Sequence, residues 1–219
     1  MANKVLWMSG SALTFTALLL SILVSISLPF IKGLDIVRII SETPAGQTVH
    51  VKMGIWATCL YIDIGATFCG PKGLGYEVGI STFTPIVETQ AITATWTRSF
   101  IIHPIATAFI FIAFLTTLSI RSTINIVAFG ATLFAVLMEL IAIIINVAVF
   151  AHTQSVANNA NINAVAVTSG GFWLSLVSLV LLIGASVAFY TGRRADSKSS
   201  EISSYPLQPK KWTYRFQMV

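Results

Sequence analysis

Few residues in this 219-residue chain are of a type that does chemistry, and those few are widely spaced. Cys59 and Cys69 are the only two cysteines, and both lie in the stretch Gly54–Cys69, GIWATCLYIDIGATFC. The nine residues between them make a short loop, and in an oxidising compartment such a loop is normally bridged. On the chain-entropy account a bridge of this size is worth roughly 2–3 kcal/mol. A pair of free thiols is the alternative. The two cysteines lack the ligand-pair spacing of a zinc site and the histidines are distant, so no metal and no cofactor is expected.

Three polar residues stand inside otherwise apolar runs: Glu139, Asn146 and His103. Glu139 lies about fifteen residues into its run, roughly 22 Å from the start at 1.5 Å per residue. A charged carboxylate at that depth costs at least ~2.5 kcal/mol, so it must face the bundle interior, pair, or be protonated. One reading is a proton-responsive switch or a polar contact with a partner helix. The other is a neutral Glu139 hydrogen-bonded to a Ser, Thr or Asn of a neighbouring span. Asn146, seven residues on and near the same helix face, reads as interhelical glue. His103 can titrate near physiological pH, but it lies near the end of its run, about 10 Å from the level of Glu139. A capping or interface histidine fits better than a sensor. No nucleophile has a nearby base, and no phosphate loop is present, so the sequence does not read as an enzyme.

The elements that position these residues are legible from composition. Of the residues, 55% are hydrophobic and 10% charged, against about 25% charged in soluble domains. Charge-poor runs long enough for a bilayer core of ~20 residues occur at about 5–29, 99–120, 124–150 and 170–190. The first is too long for a signal peptide and has no cleavage site near Pro29, so it reads as a retained span. The prediction is an all-α membrane protein, a four-transmembrane-helix bundle occupying residues 1–190. Its outer loops are 32–98 and 151–169, and a disordered cytoplasmic tail fills 191–219. Within 32–98, short β-branched pieces such as Thr48-Val49-His50-Val51 and Gly79-Ile80-Ser81-Thr82-Phe83 are punctuated by Pro44, Gly46, Pro71, Gly73 and Gly75. They predict a small antiparallel extracellular β-sheet. Asp35, Asp63 and Glu77 in that loop read as solvated surface, and Arg98 as a partner for lipid headgroups or Glu88.

Charge placement gives orientation. Lys4, Arg121, Arg193, Arg194, Lys198, Lys210, Lys211 and Arg215 face Asp196 and Glu201 on one side, while basic and acidic residues of 32–98 cancel. By the positive-inside rule both termini are cytoplasmic and the cysteines outside. Arg193, Arg194, Lys198, Lys210 and Lys211 are placed to contact anionic lipid of the bilayer. No basic stripe interleaved with aromatics points to nucleic acid. Pairs of small residues at four-residue spacing, Ser21/Ser25 and Gly184/Ala188, permit close helix approach.

Gly54-Ile55-Trp56-Ala57-Thr58-Cys59 with the later Cys69 resembles the Gly–aromatic–x–x–Cys…Cys signature of claudin-type tetraspans. Leu28-Pro29-Phe30-Ile31-Lys32-Gly33-Leu34 and His103-Pro104-Ile105-Ala106 are most similar to the fungal Sur/PalI group, nearest in motif to PalI-type pH-response regulators. The resemblance implies a claudin-like fold and a non-enzymatic, multi-pass plasma-membrane protein. Its implied role is to assist, stabilise or localise a larger integral membrane protein, with ambient-pH signalling as one form. A membrane-compartment and cell-wall organiser that self-associates as a homo-oligomer is the alternative, followed by an ion-transport or calcium-influx subunit using Glu139. Trp56 then reads as an anchor seating the loop on the outer membrane face, with Gly54 allowing close approach.

Overall fold

The computed structural model describes residues 2–28, 30–31, 33–42, 46–63, 65–81, 89–118, 124–159 and 164–204. Its main helices are α1 (Ala2–Ser25), α3 (Ile102–Thr117), α4 (Ile124–Asn159) and α5 (Gly170–Ser204), with a short α2 (Ala94–Arg98) leading into α3 through a 3-10 turn at Ser99–Ile101. Among the described residues, four helical segments are long and apolar enough to cross a membrane: Val5–Ser25, Ala94–Thr117, Val127–Asn158 and Gly170–Arg194. Pro104, which has no N–H to donate, sits just after the 3-10 turn, so the irregular winding falls where the α-helical ladder would have been interrupted.

The bundle is packed with small and polar residues inside and large apolar ones outside. On α4 the buried positions Ala128, Thr132, Ala135, Glu139, Ala142, Asn146, Val149, Thr153 and Val156 recur at spacings of four and three. The same rhythm sets His103, Ala106, Ile110, Ala113 and Thr117 of α3 inward, and Ser175, Ser178, Leu182, Ala185 and Phe189 of α5. A sustained seven-residue repeat of this kind belongs to left-handed bundles with knobs-into-holes packing. Phe111, Ile112, Leu137, Ile144, Val180 and Val187 face outward. Lipid tails are as apolar as leucine, so association is driven by close packing and interhelical hydrogen bonds rather than by hiding these side chains. Gly10 shows the close packing directly, since a Cβ there would fall 2.7 Å from the ring of Phe189.

Among the described residues, seven strands form the cap at one end: β1 (Val37–Glu42), β2 (Thr48–Met53), β3 (Thr58–Ile62), β4 (Thr67–Cys69), β5 (Val78–Ser81), β6 (Thr89–Ile92) and β7 (Ala164–Thr168). Five make one antiparallel sheet in the order β4-β3-β2-β1-β7, and β5 and β6 pair separately. A shared core of Val24, Ile36, Ile39, Met53, Ile55, Phe100, Val149 and Val156 joins the sheet to the helix ends.

Three expectations change. The segment 151–169 is no simple loop: α4 runs on to Asn159, and Ala164–Thr168 becomes an edge strand beside β1. Its alternating Ala-Val-Ala-Val buries Ala164 and Ala166 while Val165 faces out, as a two-residue period requires. Residues 191–204, expected to be disordered, continue α5 as helix. Their Arg, Ala, Lys and Glu content favours helix once a membrane span has supplied the nucleus. Asp35 is fully buried rather than solvated. Arg38 donates to both its carboxylate oxygens at 3.0 Å and also to Ser169 Oγ at 3.1 Å. The pair thereby locks β1 to the start of α5. Replacing Arg38 by Met leaves the Asp35 carboxylate buried without its counter-ion. The expected loss is on the order of 2–3 kcal/mol, read as a lowered unfolding midpoint in detergent; an unchanged midpoint refutes the lock.

Candidate functional site

The motif Gly54–Cys69 is built onto the end of the first span. The last carbonyls of α1 have no partner within the helix. Trp56 supplies one, its indole N–H donating to the Ser25 carbonyl at 2.7 Å. The Ile55 amide donates to Ser27 Oγ at 3.0 Å. Gly54 is needed for this approach, because a Cβ there would lie 2.6 Å from Leu28 Cβ and 3.0 Å from its backbone nitrogen. The buried Tyr76 hydroxyl donates to the Gly54 carbonyl, and burial raises the phenol above its ordinary pKa so that it keeps its proton. Thr97 of α2 then donates to the Tyr76 carbonyl at 2.6 Å. Trp56 is therefore half-buried, with its indole held at the end of the first span.

Cys59 and Cys69 are bonded to each other across directly paired positions of β3 and β4, with Cα atoms 4.1 Å apart. Cys59 is buried and Cys69 exposed, as is all of β4. The bridge fastens the outermost strand of the sheet, leaving Phe68 63% exposed between the two ends of the loop.

Polar contacts continue from the motif into the membrane. Ser25, whose carbonyl receives Trp56, presents its hydroxyl to Thr107 Oγ1 at 2.7 Å. Ser21 meets the same oxygen at 2.7 Å, and Thr107 donates to the His103 carbonyl at 2.9 Å. His103 Nε2 in turn donates to Asn146 Oδ1 at 3.0 Å. His103 is 1% exposed, so it is a core residue and not a cap or an interface residue. Sequence placed Asn146 as glue but did not identify His103 as what it holds. The depth argument that separated His103 from Glu139 points to Asn146, two helical turns farther along α4.

Glu139 is fully buried, and neither carboxyl oxygen has a hydrogen-bond partner among the described residues. The expected bond to a neighbouring Ser, Thr or Asn is not formed among the described residues. Asn146 Nδ2 and Thr153 Oγ1 are likewise buried without partners. Thr132, Glu139, Asn146 and Thr153 form a polar row on one face of α4, seven residues apart and all 0% exposed. Arg193 and Arg194 lie on the extension of α5 and Lys198 on the same helix, whereas Lys210 and Lys211 fall outside the described residues. Arg98 lies along Gly75, whose added Cβ would meet its Cγ at 2.5 Å; Glu88 is outside the described residues. No three His, Cys, Asp or Glu converge among the described residues.

Two substitutions test this geometry. Gly54→Ala forces Leu28 and the exit of α1 to move, costing about 1–3 kcal/mol by the overpacking rule, and a thermal midpoint equal to wild type contradicts the close approach. Glu139→Met keeps the side-chain length and removes an unsatisfied buried acid. The expected result is a gain of about 1–3 kcal/mol in resistance to denaturant in micelles; a loss instead means that the carboxyl has a partner.

Nothing among curated proteins matches the chain. A family model does match, the SUR7/PalI family, over residues 8–184, from the second turn of the first span into the fourth. That stretch contains the Trp56 junction, the bridged hairpin and the whole His103–Asn146 line, and the chain belongs to the SUR7/PalI family.

Proposed function

We propose that the protein is a non-enzymatic tetraspan of the plasma membrane, with both termini cytoplasmic, that assists, stabilises or localises a larger membrane protein. The observation that carries the reading is the β4 edge. It is exposed along its length, it presents Phe68, and it is fastened by the disulfide while the inner strands are committed to the helix ends. An edge strand with free backbone groups is a template for pairing with another chain. A rigid edge offers that template at a lower entropic cost than a flexible loop. The disulfide favours an oxidising compartment for the sheet, and the excess of Arg and Lys at the opposite end favours the cytoplasm there. Arg193, Arg194, Lys198, Lys210 and Lys211 then meet anionic lipid headgroups. Ambient-pH signalling is the sharpest form of the accessory role.

The second reading is an organiser that self-associates laterally, since the same edge can pair with a second copy. A photo-crosslinking residue at Phe68, illuminated in native membranes, separates the two. One large heterotypic product supports the accessory role, and a homotypic ladder supports the organiser. Absence of any product specific to this position, relative to a probe at the lipid-facing Val180, refutes a docking edge.

A further inference from the structure

At the end of the bundle away from the sheet, α4 and α5 part to leave an elongated groove of about 300 Å³. Phe129 and Leu133 line one side, Ile183 and Val187 the other, and Ser186 forms the floor. The floor offers no free donor, because Ser186 Oγ donates to the Leu182 carbonyl of its own helix at 2.9 Å. The groove opens sideways into lipid, with Leu133 and Ile183 each 46% exposed. Phe129 and Tyr190, which also line it, meet across the seam with ring centroids 6.1 Å apart. One turn beyond, the Arg194 guanidinium rests 5.9 Å from the Tyr190 ring.

We propose that this groove binds one acyl chain of an anionic phospholipid whose phosphate is held by Arg194. The length fits: Ile183 to Tyr190 spans about 10 Å of helix, inside the ~15 Å half-thickness of a bilayer core. The volume is at the low end of ligand pockets of ~300–1,000 Å³, which takes the headgroup-proximal segment of a single chain and leaves the headgroup outside. The charge fits as well. The Arg194 guanidinium lies within cation–π reach of the Tyr190 ring, and its fork of donors suits phosphate. Arg193 on the same helical extension adds positive charge beside it. Any lipid-facing surface is wetted by acyl chains; a cation one turn beyond the groove selects which lipid stays. The site rests on and sharpens the headgroup contact proposed above for Arg194, and it is tested separately from the accessory role.

Native mass spectrometry of the full chain, released from micelles with equal phosphatidylserine and phosphatidylcholine, tests the site. The wild type is expected to retain one lipid, with phosphatidylserine favoured about fivefold. Arg194→Gln keeps a bound lipid but loses the preference. Val187→Trp, which fills the groove from a wall position 56% exposed, loses the bound lipid of either kind. Val180→Trp, 61% exposed on the same helix but outside the groove, behaves as wild type. Equal retention of the two lipids by the wild type, an unchanged preference in Arg194→Gln, or as much lipid on Val187→Trp as on Val180→Trp overturns the proposal.

Discussion

The indole of Trp56 bonded to the last turn of the first helix is the contact on which the rest depends. It satisfies a carbonyl that the helix cannot satisfy itself, and it does so with a residue from the sheet. Everything on either side is then fixed by short-range necessity. Gly54 must lack a Cβ because Leu28 is already there, and Tyr76 must reach the Gly54 carbonyl because the turn buries it. Thr97 carries the chain of bonds to the entry of the second span. Below the membrane surface the same Ser25 joins Thr107, and through His103 the line ends on Asn146 of α4. Three of the four spans and the sheet share one run of polar contacts.

Such a run has more weight in a bilayer than in water. Hydrophobic burial does not discriminate between a helix neighbour and a lipid, so specificity falls to shape and to hydrogen bonds, each worth only about 0.6–2 kcal/mol. The interior accordingly mixes Ala, Ser and Thr with large apolar side chains such as Ile110, Leu182 and Phe189. Against that background Glu139 is an anomaly. It shares buried, unpartnered polar atoms with Asn146 and Thr153 of the same row but is the one acid among them, the pattern expected where a site departs from local rules at a cost in stability.

Much of this architecture was readable before any coordinates. Span length follows from bilayer thickness, the bridge from two cysteines in one short stretch, and the sheet from β-branched pieces between turn residues. What escaped reading shares a physical cause, the partner's distance along the chain. Strand β7 is five residues of Ala, Val and Thr whose pairing with β1 spans more than a hundred positions, and nothing local distinguishes it from an apolar linker. Asp35 was misread because its charge suggested solvent, although Arg38 stands three residues away and Ser169 completes the pair from the far end of the fold. Trp56 was recognised as an anchor, but its acceptor, a main-chain oxygen, has no sequence signature. Helix beyond Tyr190 was hidden by polar composition, which serves equally for a solvated helix and for a disordered tail.

The place of β7 has a consequence for biosynthesis. Strands β1 to β4 are made early, with the first span, and form hairpins among themselves, but the outer side of β1 is matched only by residues 164–168. Until the ribosome has delivered those residues and the fourth span behind them, β1 is itself an open edge of the sheet. Covering β1 coincides with the docking of α5, because Arg38 and Asp35 bind the junction between β7 and that helix. An unfinished chain therefore carries on its surface a signature of incompleteness, an unpaired strand beside a buried charge, that disappears only when the last helix is in place.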